Sequence, residues 1–176
     1  FVMATENPLE VSGVYSLPEA QIDRFLFKLL IDYPKIEEEE SILSKNTTIR
    51  DFEDYGIRPL LSPQMILDLQ KKVKGGFTSD TIRDYIVRIV SETRNKDFDL
   101  SRYISYGASP RASIALYIAS KAEALMNGRN FVTPKDVQQV VYPVLRHRII
   151  LNYEAEAEKV TADKVIKHIL TKVNAP

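Results

Sequence analysis

Tyr106-Gly107-Ala108-Ser109-Pro110-Arg111-Ala112-Ser113-Ile114 reads as the entrance to a helix, with Ser109 as the cap, Pro110 at the first helical position and Arg111 directly behind it. An arginine in the first turn faces the positive end of the helix macrodipole, where an acidic residue would be favoured by about 0.3–1 kcal/mol. Such a cation needs a negative partner. A helix N-terminus already presents unpaired amides, so Arg111 there makes a concentrated anion site at the expense of local stability. Extension into solvent, or pairing with an acid such as Asp97 or Asp99, would satisfy it too, and the local sequence does not separate these readings.

The same start signal recurs outward from this stretch. Ser62-Pro63 and Thr133-Pro134 each place a hydroxyl cap before proline, and Thr133 has Asp136 three residues on, a variant of the capping box. The helix from Pro63 to Lys74 should end at Gly75-Gly76, and another should run from about Ser79 to Thr93 with Ile82, Ile86, Ile89 and Val90 on one face. After Arg111, Ile114, Ile118, Ala122 and Leu125 form an apolar stripe that stops near Gly128. Val137, Val140, Val141, Val144 and Leu145 continue the helical pattern, and Thr161 caps a last helix carrying Val165, Ile166, Ile169 and Leu170. Ile36 opens a further helix, with Glu37 to Glu40 at the dipole end that favours them and Ile42 and Leu43 on its apolar side. Asn46 to Ser62, with Gly56 and Pro59, reads as a connecting loop.

Before residue 35 the pattern differs. Phe1 to Ala4 and Leu26 to Ile31 read as short buried strands, with about two helical turns between Pro18 and Phe25. Two short strands do not fold alone. Together with a start on Phe1-Val2-Met3 rather than methionine, this leads us to expect a segment cut from a longer protein.

Composition narrows the chemistry. Of 176 residues 44% are hydrophobic, which is enough for a compact domain or two small ones. Lys plus Arg and Asp plus Glu both total 24, so no global attraction to nucleic acid or membrane is expected and any anion site must be local. There is no cysteine, which excludes disulfides, thiolate zinc sites and cysteine nucleophiles, and is compatible with a cytoplasmic location. Only His147 and His168 are available for a histidine-based metal site, and no metal site is expected. No apolar run approaches the roughly 18 residues that span a bilayer.

Two further constellations could carry chemistry. Ala4-Thr5-Glu6-Asn7-Pro8 places polar residues at the end of a short apolar run, where ligands of open α/β sheets bind, although Asn-Pro is also a common turn. Leu17-Pro18-Glu19-Ala20-Gln21-Ile22-Asp23-Arg24-Phe25 ends a short helix with Asp23-Arg24, where the dipole alone would favour an arginine. Ile22, Phe25 and Leu26 would anchor the backbone there and hold Arg24 at a rigid sheet edge, and a rigid planar guanidinium suits phosphate oxygens.

In this order, with Gly107-Ala108-Ser109-Pro110-Arg111-Ala112 following, these segments resemble the sensor 1, arginine-finger and sensor 2 segments of an AAA+ ATPase of the MoxR family. Ile31-Asp32-Tyr33-Pro34 and Val132-Thr133-Pro134-Lys135-Asp136-Val137 extend the resemblance over essentially the whole chain. It implies a mainly α chain: the end of a parallel α/β AAA+ nucleotide domain over residues 1–34, a helix and linker over 35–62, and an all-helical AAA+ lid over 63–176. It also implies ATP and Mg2+ as cofactors, with Asn7 and Thr5 positioning the attacking water. Arg24 would reach in trans into a neighbouring subunit's ATP, and Arg111 would touch the γ-phosphate in cis. The family's implied work is chaperone-like remodelling in a ring, commonly a hexamer, with proteins carrying a von Willebrand factor A domain.

Two departures from the family pattern stand out. Glu6 occupies a position where the family more often has glutamine, and is expected to point away from a triphosphate. No Gly-x-x-x-x-Gly-Lys-Ser/Thr occurs, and Leu29-Leu30-Ile31-Asp32 is followed by Tyr33 where a Walker B motif would want glutamate, so this segment alone should not hydrolyse ATP. Nucleic-acid binding through Arg146-His147-Arg148 with Arg129 is a competing reading that zero net charge disfavours. A non-enzymatic helical interaction module is another.

Overall fold

Side-chain caps start most of the helices. Ser62, Ser79, Ser109, Asn152 and Thr161 each accept a backbone N–H from the first turn, at 3.0–3.3 Å. The computed structural model describes residues 2–6, 17–45, 56 and 58–176. In chain order these form α1 (Glu19–Ile22), α2 (Ile36–Lys45), α3 (Pro63–Gly75), α4 (Asp80–Glu92), a 3-10 turn (Ser101–Tyr103), β1 (Ile104–Tyr106), α5 (Pro110–Met126), α6 (Pro134–Leu145), β2 (Ile150–Leu151), α7 (Tyr153–Ala157) and α8 (Ala162–Lys172). The chain is mainly α, as expected.

The core lies between α4, α5, α6 and α8. Tyr85, Ile89 and Val90 of α4 meet Leu116 of α5, Val137, Val141, Val144 and Leu145 of α6, and Val165, Ile166 and Ile169 of α8. Full burial of each large aliphatic side chain contributes roughly 1.5–3 kcal/mol, so this cluster dominates the stability. Two small pairings tie the loops down. Strands β1 and β2 run antiparallel with Ile104 opposite Leu151, and an isolated bridge joins Phe77 to Phe131.

Three expectations are corrected. Leu26 to Ile31 is not a strand, nor are residues 2–4: Leu29, Leu30 and Ile31 are exposed, and Lys28 N–H donates to the Pro143 carbonyl at 2.8 Å. A strand requires a neighbour to complete its hydrogen bonds, and among the described residues this segment instead gives its carbonyls to side chains at the end of α6. The apolar stripe of α5 is displaced. Ile114 and Ile118 are 61% and 46% exposed, and Ala112, Ala115, Leu116 and Ala119 face the core. Small residues there let α5 approach its neighbours closely. Finally, Ile36, Ile42 and Leu43 of α2 are exposed rather than packed. The expected loop over Asn46 to Ser62 lies largely outside the described residues.

Candidate functional site

The approach to Arg111 is fixed by close packing. Gly107 passes so near the end of α4 that an added Cβ would stand 2.4 Å from the Thr93 carbonyl oxygen. Buried Thr93 then serves both sides, its hydroxyl donating to the Val90 carbonyl (2.6 Å) and accepting from the Ala108 N–H (2.9 Å). The next residue, Ser109, caps α5, which projects Arg111 from its first turn.

The partner of Arg111 is Asp23, not Asp97 or Asp99. Its Nη1 lies 2.9 Å from Asp23 Oδ2, and the Ser109 hydroxyl donates to the same oxygen at 3.2 Å. The other carboxylate oxygen takes Arg148 Nε at 3.0 Å. Two guanidiniums therefore share one carboxylate, which leaves one net positive charge beside Arg24. Burial lowers the Arg148 pKa, Asp23 opposes that shift, and Arg111 adds to it. Arg148 still carries its charge at neutral pH, since arginine does not deprotonate in proteins.

Arg24 itself follows α1 in a turn, its side chain exposed and without a side-chain hydrogen bond or ion pair among the described residues. The expected sheet edge is not what mounts it. The backbone around it is gripped by Arg146, His147 and Arg148, residues read from the sequence only as a possible basic cluster. Arg146 also pairs with Asp163 at 2.8 Å and Arg129 with Asp136 at 2.6 Å, so these arginines are engaged within the fold. His147 is held neutral, first by burial and then by the charge of Arg148, and its Nε2 meets the Phe25 carbonyl at 3.1 Å.

Thr5 and Glu6 are exposed, outside regular structure, and make no side-chain hydrogen bond among the described residues; Asn7 lies outside the described residues. The structure thus brings Arg111 to the neighbour of Arg24 but does not join Thr5 to them. Among the described residues no cluster of three or more His, Asp or Glu could hold a metal ion. The donors of Arg24 and Arg111 fit a phosphate-bearing ligand, with buried Arg148 contributing charge alone, and the set lacks ligands for its Mg2+. The sequence missed Asp23 and Arg148. Their visible signals were an acid directly preceding the candidate finger and, at the end of the Arg146-His147-Arg148 cluster, an arginine set against apolar Ile149 and Ile150.

Comparison with known proteins fits this architecture. Residues 98–169 match the AAA lid domain, and residues 1–27 match the ATPase family associated with various cellular activities. A crystal structure of a candidate ATPase from Cytophaga hutchinsonii superposes with a TM-score of 0.83 at 36% identity, covering 97% of this chain and 52% of that one. The fold is that of an AAA+ ATPase lid domain. Chaperone MoxR1 of Mycobacterium tuberculosis is 40% identical over 184 residues, covering 99% of this chain and 46% of its own length. YeaC, an uncharacterized protein of Bacillus subtilis, is 40% identical over 100% of this chain and 53% of its length. The chain belongs to the MoxR family of AAA+ ATPases, and spans about half the length of the curated relatives it matches. No helix among the described residues is long and apolar enough to cross a membrane.

Proposed function

We propose that this chain is the nucleotide-responding part of a MoxR-type ATPase that couples ATP hydrolysis to chaperone-like remodelling of partner proteins. The observation that carries the reading is the shared carboxylate: Asp23 neutralises only one of Arg111 and Arg148, and Arg24 stands exposed beside them. A positive edge of planar donors suits the charge that spreads over the γ-phosphoryl oxygens during transfer. In this reading Arg24 contacts the ATP of a neighbouring subunit, Arg111 exchanges Asp23 for a γ-phosphate of its own subunit, and Asn7 with Thr5 orients the attacking water. The phosphate-binding loop and the Mg2+ ligands come from the rest of the parent, a cytoplasmic ring, hexameric by resemblance, working with von Willebrand factor A domain proteins. Residues 63–176 form its lid.

ATP turnover by the full-length parent tests this. Arg24→Ala is expected to lower kcat by about three orders of magnitude or more, as loss of an arginine finger does. Arg111→Ala should also lower turnover. Mixing the two variants should recover turnover, because some sites then combine an intact Arg111 with an intact neighbouring Arg24. Mixtures no faster than the separate variants would remove the division into cis and trans roles. Single variants with normal turnover would sink the ATPase assignment of both arginines.

A further inference from the structure

Arg148 is a charge taken almost wholly out of water, with 2% of its side chain exposed. Burying a guanidinium is tolerated when its donors are used, and here all five are. Nε donates to Asp23 Oδ1 at 3.0 Å, Nη2 to the carbonyls of Asp23 (3.0 Å) and Phe25 (2.6 Å), and Nη1 to the carbonyls of Leu26 (3.2 Å) and Val144. Four of the five acceptors lie in residues 23–26, and none belongs to Arg24. The chain is therefore pinned on both sides of an arginine whose own side chain stays exposed.

Neighbouring side chains complete the clamp. His147 Nε2 reaches the Phe25 carbonyl from a second direction, and Arg146 Nη1 donates to the Lys28 carbonyl at 3.0 Å. The Pro143 carbonyl of α6 takes the Lys28 N–H. Consecutive residues at the end of one lid helix thus supply the hydrogen bonds that a sheet neighbour would have supplied. An ion pair alone would need only the Asp23 carboxylate. Donors aimed at main-chain carbonyls fix where the backbone lies, which is what a group acting by position requires.

We propose that Arg148 is the positioning residue of the arginine finger, setting the reach of Arg24 from the turn that follows lid helix α6. This rests on the reading of Arg24 as the phosphate-contacting arginine. The finger segment and the end of α6 then move as one body. Arg148 also orients the Asp23 carboxylate, leaving Oδ2 to Ser109 and Arg111.

The test uses the full-length parent and the variants Arg148→Lys, Arg24→Ala and their combination, with kcat, KM, affinity for a fluorescent ATP analogue and melting temperature all measured. Lysine keeps the charge but offers three donors on a point rather than a planar fork, so it cannot hold the carboxylate and four carbonyls together. Arg148→Lys should lower kcat by about tenfold to a hundredfold, the scale of a displaced catalytic group, with KM and analogue affinity within about threefold. Combining it with Arg24→Ala should add little to the loss from Arg24→Ala alone, because both remove one function. His147→Phe, which deletes one bond of the clamp, should lower kcat less and again spare KM, and decides the matter if Arg148→Lys does not assemble. The proposal is overturned if both clamp variants keep kcat within about twofold while Arg24→Ala loses it, or if the losses from Arg148→Lys and Arg24→Ala multiply. Normal turnover in Arg24→Ala would instead overturn the finger reading beneath it.

Discussion

Asp136 shows how one side chain can stabilise an element start and report it through pH. Burial alone would raise its pKa, but Arg129 at 2.6 and 2.7 Å and the N–H and hydroxyl of Thr133, both at 2.7 Å, outweigh that and bring it from 3.8 to about 2. The folded pKa is the lower one, so the stabilisation is complete above about pH 4 and is lost as pH falls through about 2. That difference corresponds to about 2 kcal/mol. Asp136→Asn is expected to cost about that much at neutral pH and to flatten the acid limb of stability. Urea midpoints measured from pH 7 down to 2 check this, and an unchanged acid limb would count against it. His147 shares the preference for the deprotonated form, which for an imidazole is the neutral one. Its folded pKa is depressed below 6.5, so its contribution weakens as pH drops below that value and the unfolded chain takes up the proton.

At the scale of elements, α5 separates what periodicity determines from what packing determines. Its extent and its Ser109-Pro110 start are local and legible. Which face it buries was not, because Ile114 and Ile118 on one side compete with Ala112, Ala115, Leu116 and Ala119 on another, and both are apolar. The close approach to α4 and α6 selects the alanines. Ala112→Leu is therefore expected to destabilise by about 1–3 kcal/mol through overpacking. Ile114→Ala should change stability by no more than about 0.5 kcal/mol, since its side chain is mostly exposed. Chemical denaturation of the two variants checks the order, and a larger cost for Ile114→Ala would restore the isoleucine face. The segment over 26–31 fails as a strand for a related reason: apolar composition marks it for burial, but strand pairing depends on a neighbour that local sequence does not contain.

Across the whole molecule, stability is expected to be graded. Amides of α4, α5, α6 and α8 surround one buried cluster, while α2 and α3 bury no side chain fully among the described residues. Hydrogen exchange should therefore be slowest in those four helices, fastest in α2, and intermediate at Phe25 and Lys28, which the α6 clamp holds in place. Equal protection in α2 and α4 would contradict this gradient. The helix starts, the capping box at Thr133, the mainly α class and the family resemblance follow from residues close together in sequence, since caps and periodicity are contacts across three or four positions. The choice of Asp23 as partner of Arg111 and Arg148, across 88 and 125 residues, is of another kind. Nothing local to Arg111 distinguishes Asp23 from Asp97 or Asp99, and only the seating of residues 23–28 on the end of α6 brings that carboxylate within reach.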